Sequence, residues 1–253
     1  MNAPFGYQIV IYLFLAGVAA GSALFASWIL LRRDPEAFAV GKRSLVLSIV
    51  AIGLGVIFLI ADLANPMAFF LILTEANPAS AIAWGTRIVT CFSLVAFYCW
   101  ALYRRLEAGG GAGSDRAALW VLRLLALALA IYPGFVLMQG KAMALWSTWI
   151  IVPLIALSGL HAGFAASSLF VGNRYHCLSW EKVLLTVVGV LLVAMLVVMK
   201  AVSPLAILAL ASCVLIPFAL VDRKAGAVTS LSVLAGSFIL RAWLITDGQT
   251  LFF

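Results

Sequence analysis

The sequence predicts an all-α integral membrane protein, with eight transmembrane helices arranged as two four-helix bundles in a single domain over residues 1–253. Three observations carry this. The chain is 66% hydrophobic and only 10% charged, where a soluble domain would be about a quarter charged. Its apolar residues fall into eight runs, each near the roughly 20 residues needed to cross a bilayer. A short pattern within the first run returns, in register, in the fifth.

The runs cover about 8–31, 44–63, 81–103, 118–139, 146–170, 182–199, 203–221 and 226–246, so the first half of the domain is about 8–139 and the second about 146–246. The first run lacks a preceding basic segment and is long enough to span, so it reads as a helix and not as a cleavable signal. Short polar connections between the runs require neighbouring helices to pack together. An even number of crossings puts both termini on one side.

Lysine and arginine orient the spans. The loops after spans one, three, five and seven hold eleven of them, among them Arg32, Arg33, Arg104, Arg105, Arg174 and Lys224. The other side holds Lys141 and Lys200. The basic loops are therefore expected in the cytoplasm, and both termini outside, in the periplasm of a bacterium. This distribution accounts for the +7 net charge by topology, and no nucleic-acid partner is expected.

The recurring pattern is "LAGVAAGSA" at Leu15–Ala23 and "LSGLHAGFA" at Leu157–Ala165. Leucine, glycine, alanine, glycine and alanine repeat at an offset of 142, on two spans that run the same way. This suggests a parallel repeat of four helices. Each copy contains GxxxG (Gly17/Gly21 and Gly159/Gly163), whose first role is close helix packing.

Polar groups inside spans need a reason, since each ionisable one costs about 2.5–3.5 kcal/mol on insertion scales. Most lie toward the outer face. Asp62 ends span two, Arg87 follows the start of span three, Arg241 is near the end of span eight, and Tyr7, Gln8 and Tyr12 begin span one. Glu75 lies in the outer loop between spans two and three. The stretch "AIYPGFVLMQG" puts Tyr132, Pro133 and Gln139 at the outer end of span four. A phenol at that depth wants a partner, and the proline frees a carbonyl in the preceding turn. A polar niche in apolar walls suits an amphiphilic ligand. Trp84, Trp146 and Trp149 read as interfacial anchors. Arg123 is at the opposite end of span four, where it can snorkel.

Several chemistries are disfavoured. The two histidines, His161 in mid-span and His176 in a loop, are too few and too far apart for a di-haem site. His161 remains a structural residue or a candidate proton relay. The four cysteines form no CxxC pair, so no iron–sulfur cluster is expected in this chain. No metal site, nucleotide loop or hydrolase motif is evident. A secondary transporter is one alternative, though it would place its polar residues at the bilayer centre. A passive membrane anchor without a ligand site of its own is another.

Four segments taken in order resemble the PsrC/NrfD family: "YLFLAGVAAGSALFA", "NPASAIAWGTRIV", "YPGFVL" and "LRAWLITDGQ". The resemblance implies a haem-free pair of four-helix bundles in the bacterial inner membrane. It implies a menaquinone or ubiquinone site near the periplasmic face. It also implies partners: an iron–sulfur subunit with four ferredoxin-like clusters, joined to a molybdopterin catalytic subunit or a multihaem cytochrome. The family's quinone-binding tyrosine falls on Tyr132 and its acidic residue ending helix two on Asp62. The family's helix-one histidine position holds Tyr12, and its asparagine position holds Ile9, next to Gln8. Quinone contacts are thus expected from Tyr132, Tyr12, Gln8 and Arg87, and proton transfer from Asp62, Glu75, Arg241 and His161.

Overall fold

A computed structural model describes residues 6–32, 35–62, 81–107, 115–139, 148–169, 204–212 and 226–250, with isolated positions such as Trp146 between them. Lipid offers no partner to backbone polar groups, so a spanning chain must satisfy them within helices or a closed barrel. The described residues form seven helices and no strand. These are α1 (Tyr7–Arg32), α2 (Pro35–Asp62), α3 (Ala81–Glu107), α4 (Asp115–Met138), α5 (Ile151–Ser168), α6 (Pro204–Leu210) and α7 (Gly226–Thr250). Six of them, all but α6, are long and apolar enough to cross a membrane. The expected sixth span lies outside the described residues apart from isolated positions, and the seventh is described only over 204–212.

Helices α1, α2 and α3 overrun the apolar segments that predict them. Helix α1 has 26 residues, about 39 Å of axis at 1.5 Å per residue, against a hydrocarbon core of about 30 Å. The second span is expected from residue 44, yet α2 begins at Pro35. Proline suits a first helical position because its missing N–H would have no intrahelical partner there. Lys42 and Arg43 thus ride on helix and not in a loop.

Close contacts give the sense of each helix. Ser48 donates to the carbonyl of Ala19 at 2.8 Å, while Gly41 meets Leu30 and Gly55 meets Tyr12; α1 and α2 are antiparallel. Gly85 meets Tyr132, and Gly134 meets Val152, so α4 is antiparallel to both α3 and α5. Ser168 and Ser230 share a hydrogen bond of 2.6 Å, and Ser237 donates to Ser158 O at 3.1 Å. Hence α7 is antiparallel to α5. The end of α5 and the start of α7 therefore lie at the same end of the bundle.

Helices α1 to α4 close a ring, each packed on the next and α4 on α1. Helix α5 packs on α1 and α4, and α7 packs on α5, α6 and α1. Buried residues make up 72% of the span windows of α1 and α5, but 33–39% of those of α2, α3 and α4. The first and fifth helices are therefore the axis of the molecule. Leu54, Ile57, Leu94 and Leu124 point outward, where lipid would be.

The axis is a glycine seam. A Cβ on Gly17 would lie 2.9 Å from the Cα of Gly159, and one on Gly21 would lie 2.8 Å from the Cα of Gly163. Ser22 adds a hydrogen bond to Gly163 O at 3.1 Å. The two copies of the repeated motif are pressed against each other, equivalent glycine to equivalent glycine. Such self-matching contact between parallel helices places a pseudo-two-fold axis between them.

Candidate functional site

One end of the bundle, here the near face, carries the start of α1. Gly6 and Asp62, Tyr12 and Gly55, Gly85 and Tyr132, and Gly134 and Val152 meet in this half. The end of α7 joins them, since Arg241 Nε donates to Leu13 O at 3.0 Å. Gln8, Tyr12, Asp62, Arg87, Tyr132 and Arg241 therefore share one half of the membrane-spanning body. Glu75 lies outside the described residues. His161 is six residues beyond Ile155 on α5, about 9 Å deeper along the helix.

Tyr132 is half-buried, and its ring lies on Gly85 of α3: a Cβ there would come within 2.6 Å of Cε2 and 2.9 Å of Cδ2. Gly85 is thus the floor under the phenol. It sits in "NPASAIAWGTRIV", two residues before Arg87, where nothing in the sequence sets it apart from other small residues of the span. Pro133 is buried, and α4 continues helical through it to Met138. Gln139 follows in an exposed turn, its N–H reaching Phe135 O and Val136 O at 3.2 Å.

Tyr12 is 4% exposed. It faces α2, where a Cβ on Gly55 would meet its Cδ2 at 3.4 Å. Gln8 is exposed at the rim. Asp62 ends α2 half-buried, and its Oδ1 would lie 3.0 Å from a Cβ on Gly6. The guanidinium of Arg87 lies 5.4 Å from the centroid of the Trp84 ring, one turn away on the same helix. A cation over an indole face is held by the ring quadrupole.

Arg241 is 1% exposed. Nε reaches Leu13 O of α1, Nη1 reaches Ser237 O at 2.8 Å and the Ser237 hydroxyl, and Nη2 reaches Ile155 O of α5 at 3.4 Å. Gly17 and Gly159 leave the room: a Cβ on either would lie 2.6 or 2.8 Å from Nη2. His161 is 2% exposed, and its Nδ1 has no hydrogen-bond partner among the described residues.

The tryptophans divide. Trp84 and Trp149 are exposed as interfacial anchors should be, at 52% and 74%. Trp146 is not an anchor but a packed side chain, buried with its Nε1 donating to Leu244 O of α7 at 2.8 Å. A buried indole needs such a partner.

Among the described residues the near half thus offers the phenols of Tyr12 and Tyr132, the carboxylate of Asp62 and the guanidinium groups of Arg87 and Arg241 amid apolar walls. That set suits an amphiphile with a polar, hydrogen-bonding head and an oily tail. Over residues 1–215 the sequence matches the polysulphide reductase NrfD family. The chain belongs to that family. The C subunit of polysulfide reductase from Wolinella succinogenes is 26% identical over 179 residues, which cover 64% of this chain and 56% of that relative. The match with this NrfD relative spans little more than half of the relative's length. Tyr12, Asp62, Arg87, Tyr132 and His161 fall within the family match; α7 with Arg241 lies beyond it. As an NrfD-family protein with six membrane-length helices among the described residues, it is a multi-pass membrane protein.

Proposed function

We propose that this chain is the membrane subunit of a respiratory oxidoreductase complex of the polysulfide-reductase type. It binds menaquinone or ubiquinone, in oxidised or quinol form, at the near face and exchanges electrons there with an iron–sulfur partner. The proposed arrangement has eight spans in the bacterial inner membrane, the near face and both termini periplasmic. A molybdopterin subunit or a multihaem cytochrome, reached through the iron–sulfur subunit, handles the terminal substrate. The carrying observation is the half-buried Tyr132 ring seated on Gly85 beside Pro133.

The residues fit a quinone head. Quinone carbonyls accept hydrogen bonds, and phenols donate them. Tyr132 donates to one carbonyl, with Gly85 setting the height of its ring. Tyr12 stands on α1 as the second donor, and Gln8 lines the rim. Arg87, steadied on Trp84, contributes positive charge near the head. The bound quinone supplies the two-electron, two-proton chemistry. Asp62 and Glu75 exchange the protons with water at the near face. His161 is a protonatable group deeper in the second half. Arg241 is a fixed charge, because a guanidinium keeps its proton in proteins.

The test is Tyr132→Phe in the intact complex, assayed with a quinol analogue. Turnover should fall about tenfold or more, 1.4 kcal/mol in barrier, with subunit content unchanged. Full turnover in a fully assembled variant would mean that the quinone binds in a partner and that this chain is a passive anchor.

A further inference from the structure

The internal repeat meets itself at more than the glycines. At the same offset of 142, Leu13 corresponds to Ile155. Arg241 donates to the backbone carbonyl of both, through Nε at 3.0 Å and Nη2 at 3.4 Å. One side chain, from a third helix, grips the equivalent backbone atom two residues ahead of each copy of the motif. Its guanidinium lies in the cradle that Gly17 and Gly159 leave open. Nη1 is steadied by Ser237, whose hydroxyl donates in turn to Ser158 O of α5.

Tyr12 and Tyr132 stand on different helices, each registered to α5 by its own contact. Tyr132 is on α4, which meets α5 where Gly134 packs on Val152. Tyr12 is on α1, one residue from the Leu13 carbonyl that Arg241 holds. Away from that carbonyl, the seam consists of glycine contacts and the Ser22 bond at a deeper level. Sliding or rotation of α1 against α5 at the near end is resisted by Arg241.

We infer that Arg241 is a positioning residue for the quinone site. By clamping Leu13 and Ile155 it fixes the height of Tyr12 relative to Tyr132. This rests on the proposed quinone reading, and a displacement of about 1 Å is enough to cost such a site heavily. Lysine cannot substitute: its ammonium is a single point without the planar fork that reaches two carbonyls.

The experiment uses the whole complex in nanodiscs, with Arg241→Lys and the milder Ser237→Ala. Nitroxide labels at Tyr7→Cys and Trp149→Cys, both exposed and outside the proposed site, report the near-end spacing of α1 and α5. Quinol-analogue kinetics are measured on the unlabelled variants. Both variants should assemble, broaden the label distance distribution and raise KM for the quinol about tenfold, with a smaller change in kcat. Combining Arg241→Lys with Tyr12→Phe should add little to either alone, because both act on one contact. An unchanged label distance, additive kinetic effects, or normal kinetics in a displaced α1 would each overturn the inference. If Tyr132→Phe and Tyr12→Phe are both silent, the quinone reading is what fails; the label distance still decides whether Arg241 holds α1 to α5.

Discussion

Gly85 does for Tyr132 what no larger residue could do. Alanine there would put a methyl 2.6 Å from the ring, so the phenol must swing or α3 must back away. Gly85→Ala should lower quinol turnover about tenfold while the complex still assembles; steady-state kinetics beside a subunit-content gel check this. Gly53, on the lipid side of α2, has nothing within 4 Å of a Cβ, and Gly53→Ala should leave both unchanged. At this scale the sequence showed which residues were polar and near one face, but not what held them. Tyr132 stood out as a candidate because a phenol followed by proline, deep in an apolar run, has few uses. Gly85 was not, because its value depends on a ring 47 residues away on another helix. Trp146 misled for the same reason. An indole at a span end looks like an anchor until the carbonyl of Leu244 is brought to its Nε1.

Element-scale behaviour follows from which faces are small. On α1 and α5 the contact face is glycine, and backbone approaches backbone. A Cβ on Gly163 would fall within 2.4 Å of both the Gly21 Cα and the Ser22 nitrogen, so Gly163→Leu should prevent the two helices from meeting. Fluorescence-detected size exclusion should show loss of the monodisperse peak. Ser48→Ala, which removes one interhelical hydrogen bond from α2 to α1, should cost only about 0.6 kcal/mol, the mean for such bonds in membranes. A thermal-shift assay in detergent should register it as a small decrease in midpoint. Six of the spans were readable from apolar length. Their ends were not, because helix continues into the headgroup zone on charged residues such as Lys42 and Arg43, which a hydropathy window rejects. The glycine motifs were readable as packing. Their second use, as the cradle of Arg241, depends on a helix more than 80 residues further along.

For the whole molecule, the testable quantity is sidedness. The basic loops and the antiparallel helix senses together predict a periplasmic near face. A membrane-impermeant maleimide should label a cysteine placed at Gln139 from outside intact cells, and one placed at Arg105 only after the inner membrane is opened. The reverse pattern would place the proposed docking face in the cytoplasm.

Equivalent glycines touching across parallel helices are the geometry of a homodimer written into one polypeptide. Two copies of one helix meeting along that line would be balanced, each half able to do what the other does. Arg241 breaks the balance. It enters from one side only and takes hold of both twins at once, so the halves are no longer interchangeable. Cut between α4 and α5, the fragments would still carry matching edges, but just one of them would bring the bolt.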